Sequence, residues 1–257
     1  MSLDLFSLEG KVAVVIGGGG VLAGAMAEGL AGAGAAVAIL DYHKDNGKAR
    51  AASIRSQGGK AIAIHGDASR KEDLERALQE VLRDCGGVDI LINAAGVNSG
   101  TPFFEITEAE WQRILDTNLK SVFLACQVFG RVMVESGKGG SIINISSISS
   151  GPPLSKVFTY SVSKGGVNQI TQFLAREWAP YRVRVNALRP GFFPAEQNRA
   201  LLTPERTADI MKHTPMKRFG EAQELVGAAV YLASEKAASF VTGCILSVDG
   251  GFTATTI

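Results

Sequence analysis

The feature that most constrains this chain is a repeating alternation. Short β-branched and apolar runs are each followed by a stretch with helical spacing. Residues 12–16, 36–40, 61–65, 88–92, 141–145, 182–187 and 244–248 read as strands, and 23–33, 45–57, 71–84, 160–178 and 221–233 as helices. A further long helix is predicted from Thr107-Glu108-Ala109-Glu110, where the Thr hydroxyl and Glu carboxylate can form a capping box. Strands covered by helices on both faces must be apolar along their whole length, and VAVVI at 12–16 and AVAIL at 36–40 are. Such βα units, joined by right-handed crossovers, give an α/β, doubly wound parallel sheet of about seven strands, expected as a single domain over residues 1–257.

Sheets of this kind bind ligands at the carboxyl ends of their strands, beside the point where strand order reverses. The run Gly17-Gly18-Gly19-Gly20 follows the first strand, at that end. It matches G-x-G-x-x-G/A in one register, Gly18, Gly20 and Ala23. Glycines let a backbone approach a pyrophosphate, and a small residue at Ala23 or Gly24 lets the next helix pack closely. Asp41 ends the second strand. A carboxylate there can accept hydrogen bonds from both hydroxyls of an adenosine ribose and repels a 2′-phosphate, which favours NAD over NADP.

The composition excludes other classes. Twenty-six basic residues balance 25 acidic ones for a net +1, with no basic tract, so neither nucleic acid nor an anionic membrane is an expected partner. Cys85, Cys126 and Cys244 are scattered, as are His43, His65 and His213, so no metal site is expected. The start, MSLDLFSLEGK, is acidic before its first lysine, unlike a secretory signal. The weakly charged stretch 12–40 is interrupted by Glu28 and crowded with glycine, unlike a membrane span. A cytoplasmic location is the expectation.

The segment Tyr160-Ser161-Val162-Ser163-Lys164 carries the chemistry. Four residues apart on a helix, Tyr160 and Lys164 share a face. A free phenol has a pKa of about 10, and an adjacent ammonium is expected to lower it toward neutrality, as a proton donor and acceptor requires. Ser147 lies thirteen residues earlier, at the end of the strand containing INI at 143–145.

With NAAG at 93–96, Asn118, NISS at 144–147, YSVSK at 160–164, NALRPG at 186–191 and VDGG at 248–251, the chain resembles the short-chain dehydrogenase/reductase family over nearly its whole length. The resemblance implies a Rossmann-type fold and NAD(P)-dependent hydride transfer between a secondary alcohol and a ketone. Tyr160 would be the general acid/base, Ser147 would orient the reacting oxygen, and Lys164 would hold the nicotinamide ribose. Asn118 would interrupt its helix and anchor a water in a proton relay. The cofactor would be bound by Gly17, Gly19, Gly20, Val21 and Leu22 at the pyrophosphate, Asp41 at the ribose and Asp67 and Ala68 at the adenine. Asn93, Ala94, Ala95, Gly96, Tyr160, Lys164, Pro190, Gly191 and Phe193 would complete that site.

The glycine signature departs from the family's TGxxxGxG: Ile16, Val21 and Ala23 stand at its Thr, second Gly and third Gly, and Ala195 replaces a frequent Thr. GGGGVLAGAMA at 17–27, PGFFPAEQNRALLT at 190–203 and the ending VDGGFTATTI resemble the family's D-mannonate oxidoreductase (fructuronate reductase) branch. That implies a sugar acid or polyol substrate. Loops over the strand ends, at 97–103, 148–158 and 192–216, are where specificity is expected, with Arg189, Arg199 and Lys156 as candidate carboxylate partners. It also implies a homotetramer or homodimer. The competing readings are a non-catalytic nucleotide-binding scaffold and a 3-oxoacyl-thioester reductase, the latter disfavoured by Asp41 and the near-neutral charge.

Overall fold

The computed structural model describes residues 3–152, 154–194 and 202–254. Its strands are β1 (Val12–Ile16), β2 (Ala36–Asp41), β3 (Lys60–His65), β4 (Ile90–Asn93), β5 (Gly140–Ile145), β6 (Val183–Pro190) and β7 (Ile245–Val248). They form one parallel sheet in the order β3-β2-β1-β4-β5-β6-β7. The order reverses between β1 and β4, which places the switch point beside the glycine turn.

The continuous apolar reading of β1 has a direct cause. Val12, Val14 and Ile16 join the core on one side of the sheet, while Ala13 and Val15 join the core on the other. Each fully buried valine or isoleucine contributes about 1.5–3 kcal/mol, so neither face can be polar. The edge strands β3 and β7 lack that continuous burial.

The helices that cover the two faces include α1 (Val21–Gly32), α2 (Lys44–Ser56) and α3 (Lys71–Cys85). On α3, the expected face of Leu74, Ala77, Leu78 and Val81 is buried, and Gly86 ends the helix at φ 85°, a left-handed value suited to glycine. The long helix after Thr107 is a chain of three α segments: α4 (Glu108–Leu115), α5 (Ser121–Ala125) and α6 (Arg131–Ser136). π-turns over Asp116–Lys120 and Cys126–Gly130 join them. Thr107 caps α4 by accepting from Glu110 N at 3.1 Å. The expected box is only half made, because Glu110 Oε2 instead accepts from Thr101 Oγ1 at 2.8 Å.

Next comes α7 (Phe158–Trp178), which carries the Tyr-Lys pair. A helix absent from the expected set follows, α8 (Pro204–His213), inside a segment read as loop. Thr203 caps it and Pro204 opens it, both ordinary start signals. The predicted helix 221–233 resolves into a 3₁₀ turn, Ala222–Leu225, and α9 (Val226–Ala233), with the short α10 (Glu235–Ala238) after it. Among the described residues, no helix is long and apolar enough to cross a membrane.

Candidate active site

The turn after β1 is built from close approaches. Gly17 adopts φ +75° and donates its N–H to Leu40 O at 2.8 Å. A Cβ at Gly17 would sit 2.9 Å from Ala95 N, so the turn and the end of β4 can meet only without a side chain there. Gly18 serves packing instead: its Cβ would meet Ile39 Cδ1 and Val15 O, both at 3.0 Å. Of the two residues expected to let α1 pack tightly, Ala23 is buried in the core and Gly24 makes room for Arg50 of α2, whose Nε would lie 2.3 Å from a Cβ. Gly20 is the N-cap of α1 and makes no side-chain cap, so the first amides of the helix keep no such partner.

Asp41, at the end of β2, is 7% exposed. Its Oδ2 accepts from Gly19 N at 2.9 Å and its Oδ1 from His43 N at 2.8 Å. The carboxylate thus ties the glycine turn to β2. Two further lone-pair positions stay open, since a carboxylate has about four.

Ser147 caps a short 3₁₀ turn, Ile148–Ser150, just past β5. Its Oγ accepts from Ser149 N at 3.2 Å and from Ser149 Oγ at 3.0 Å. With both acceptor positions taken, the Ser147 proton is directed to another acceptor. Ser150 and Asn168 brace the turn: Ser150 Oγ donates to Ser147 O at 2.6 Å and receives Asn168 Nδ2 at 2.9 Å. Asn168 lies one helical turn beyond Lys164, on the same face of α7.

Lys164 Nζ is buried, donates to Ile145 O at 2.7 Å and lies 5.6 Å from the Tyr160 ring centroid. Asn118 sits in the first π-turn, fully buried, accepting from Val97 N at 2.7 Å and donating to Val97 O at 2.9 Å and Ser163 Oγ at 3.1 Å. Gly96 fills the gap between them: its Cβ would be 3.5 Å from Asn118 Oδ1 and 3.7 Å from Lys164 Nζ. Below, Asn93 Nδ2 donates to Asn144 Oδ1 at 2.8 Å, and Asn144 Nδ2 to Thr171 Oγ1 at 2.9 Å, tying β4, β5 and α7 together.

These parts meet in one cleft of about 340 Å³. Its wall includes Gly17, Gly19, Gly20, Val21 and Leu22 from the turn, and Ser147, Tyr160 and Lys164 from the far half of the sheet. Ala94, Gly96, Pro190, Gly191 and Phe193 line it too. Asp41, Asp67, Ala68, Asn93, Ala95 and Asn118 are not on that wall. Asp67 Oδ1 accepts from Ser69 N and Oγ at 2.8 and 2.7 Å, and Asn93 and Asn118 act from beneath through the contacts above. Ala23 lines the cleft, whereas Ile16 is core. Ala195 and Arg199 lie outside the described residues. Arg189 is turned to Ser247 Oγ at 2.9 Å, and neither it nor Lys156 lines the cleft. Among the described residues, no cluster of three His, Cys, Asp or Glu side chains could hold a metal ion.

The electrostatics differ from the expectation of an acidified phenol. Burial pushes the Tyr160 phenol up from its ordinary 10.0, and a hydrogen bond with Ser147 pulls the other way. Burial also pushes Lys164 down from 10.5 to about 8. The low-dielectric setting that weakens the ammonium is shared by the phenolate it was expected to stabilise. The folded protein therefore carries a penalty for the buried ammonium below about pH 8, which disappears by about pH 10.5. Across that window the stability of the wild type relative to Lys164→Met is expected to rise by about 3 kcal/mol. Urea melts of both proteins at stepped pH measure the gap. A constant gap would mean that the amine is not desolvated.

A parallel sheet with a glycine turn at its switch point is the architecture of dinucleotide-binding proteins, and a phenol and ammonium in the same cleft mark this one as an oxidoreductase. The sequence profile described as enoyl-(acyl carrier protein) reductase matches residues 20–253. The 5-keto-D-gluconate 5-reductase of Escherichia coli (strain K12) is 37% identical, covering 96% of this chain and 97% of the relative. A gluconate 5-dehydrogenase from Burkholderia cenocepacia J2315, in complex with NADP and tartrate, superposes with a TM-score of 0.95 at 35% identity, covering 100% of both chains. A candidate D-mannonate oxidoreductase from Haemophilus influenza, with bound NAD, superposes with a TM-score of 0.92 at 34% identity, covering 97% of each. The chain belongs to the short-chain dehydrogenase/reductase family and is an oxidoreductase of CH–OH groups that works with a nicotinamide cofactor.

Proposed function

We propose that the protein interconverts a secondary alcohol and a ketone of a polyhydroxy acid, of the D-mannonate/D-fructuronate or gluconate kind, with NAD preferred over NADP. One observation carries this reading: the Ser147 hydroxyl, Tyr160 phenol and Lys164 ammonium share a cleft with the glycine turn. The relatives that act on gluconate derivatives, and the neighbour assigned to D-mannonate, support the substrate class.

The residues present fit a dinucleotide. A side chain at Gly17 would collide with Ala95 N at 2.9 Å and one at Gly19 with Asn46 Cβ at 2.8 Å, so the turn is built with bare backbone, which a diphosphate can approach. Gly17, Gly19, Gly20, Val21 and Leu22 would hold the diphosphate, Asp41 the adenosine ribose, and Asp67 and Ala68 the adenine. Asn93 to Gly96, Pro190, Gly191 and Phe193 would complete the binding surface. The nicotinamide, when bound, would supply the hydride as NADH in reduction and accept it as NAD in oxidation.

The chain's own groups handle the proton and the orientation. Tyr160 donates a proton to the carbonyl oxygen in reduction and removes it from the hydroxyl in oxidation. Ser147, with its acceptor positions taken by Ser149, donates to that same oxygen. Lys164 holds the nicotinamide ribose and supplies positive charge beside the phenol. Asn118 clamps Val97 and would anchor a water in a proton relay to Lys164. The rings of Phe123 on α5 and Phe173 on α7, 47% and 63% exposed, support assembly into a homodimer or homotetramer through these helices.

A panel of sugar acids, polyols and acyl-thioester ketones, followed by NADH absorbance, tests the reading. Sugar acids are expected to turn over, with kcat/KM for NAD roughly 100-fold or more above that for NADP, because Asp41 repels a 2′-phosphate. Asp41→Ser is expected to narrow that ratio. An equal use of both cofactors by the wild type would sink the cofactor assignment, and turnover of thioester ketones alone would sink the substrate class.

A further inference from the structure

A charged residue of the cleft wall takes no part in these steps. Arg206, on the first turn of α8, lines the same cavity as Ser147 and Tyr160. One guanidinium nitrogen, Nη2, donates to Ser155 O at 3.1 Å and straps α8 to the segment 148–158. The second terminal nitrogen, Nη1, is buried and has no hydrogen-bond partner. Glu205, the adjacent acid, does not serve it: that carboxyl is held by its own backbone and by Thr203.

A buried, charged donor left without an acceptor is costly, and in a ligand cleft an incoming anion can complete it. The neighbouring wall is apolar, with Leu154, Val157, Phe192 and Leu202. Lys164 is the other cation on the described part of this wall, and it already donates to Ile145 O. A guanidinium with one arm anchored and one arm free is pre-organised for a carboxylate, and it is planar and always charged.

We propose that Arg206 binds the carboxylate of the substrate and sets the preference for acids over neutral polyols, resting on the sugar-acid reading above. Arg206 thereby takes the place expected of Arg189 or Lys156. It touches the end of the substrate remote from the reacting carbon, so it is a specificity residue with no part in proton or hydride transfer.

Arg206→Gln and Arg206→Lys, each compared with the wild type, test this. The substrates are the matched pairs D-mannonate with D-mannitol and D-gluconate with D-glucitol. A second readout, independent of turnover, is the rise in melting temperature that each compound produces on the NADH-bound protein. If Arg206 holds the carboxylate, Arg206→Gln raises KM for the acids roughly 10- to 100-fold, leaves kcat and the polyols nearly unchanged, and abolishes the melting shift by acids. Arg206→Lys recovers part of the preference. A wild type that prefers acids and an Arg206→Gln variant that keeps the preference overturn the proposal and leave the sugar-acid reading standing. A variant that loses kcat equally on acids and polyols, or simply melts lower, shows a structural strap and also overturns it. A wild type with no preference for acids removes the sugar-acid reading itself.

Discussion

Tyr160→Phe is expected to lower kcat about 10³-fold, within the 10²–10⁴ that a positioned acid/base supplies and equal to about 4 kcal/mol of barrier. The substitution removes one oxygen and keeps the ring, so the packing of α7 and affinity for NADH should be nearly unchanged. The pH profile discriminates further. Burial holds the Tyr160 phenol above its ordinary 10.0 in this structure, so the phenol is protonated at neutrality. Reduction, which uses the phenol as proton donor, should therefore be favoured near neutral pH. Oxidation uses the phenolate and should rise with pH, by up to about tenfold per pH step of one, well into the alkaline range. In Tyr160→Phe this rise should vanish along with the rate. Stopped-flow hydride transfer in both directions, from pH 6 to 10, measures it. A variant that retains wild-type rates would move the acid/base to another group.

The second large effect is expected at the turn. Gly17→Ala places a methyl 2.9 Å from Ala95 N, at a backbone angle of φ +75°. The left-handed conformation costs an L-residue about 1–2 kcal/mol, and forcing atoms into a packed site costs about 1–3 kcal/mol more. The sum, about 2–5 kcal/mol, corresponds to a melting temperature lower by roughly 5–15 °C for a chain of this size. Nucleotide affinity should fall as well, because β1 and β4 can no longer close together at the switch point. Gly32→Ala is the control: it sits on α1, and a Cβ there meets nothing within 4 Å. Differential scanning calorimetry and NADH titration of both variants check the pair. An unperturbed Gly17→Ala protein would mean that the turn does not need its glycine.

How much of this was legible beforehand depends on the range of the interactions involved. Strands such as Val12–Ile16 were visible because burial on both faces leaves a local mark, an unbroken apolar run. Tyr160 and Lys164 were paired correctly in space because helical spacing is a local rule. The helix Pro204–His213 lies within a segment whose sequence reads as a substrate loop, although Thr203 and Pro204 carry ordinary start signals. Of the two candidates for close helix–strand packing, Ala23 joins the core, while Gly24 accommodates Arg50 from the neighbouring helix, a contact that no spacing rule encodes.

The one-dimensional pattern thus specifies the sheet, its direction and the chemistry of its ends, because each of these follows from neighbours a few residues apart. Folding alone settles which groups meet: Asp41 with Gly19, Ser149 behind Ser147, and Arg206 with Ser155 across 51 positions of chain. The protonation of the phenol belongs to the same category. Lys164 supplies the charge that the sequence promises, but desolvation in the buried cleft, a property of the whole packed molecule, acts on both partners at once.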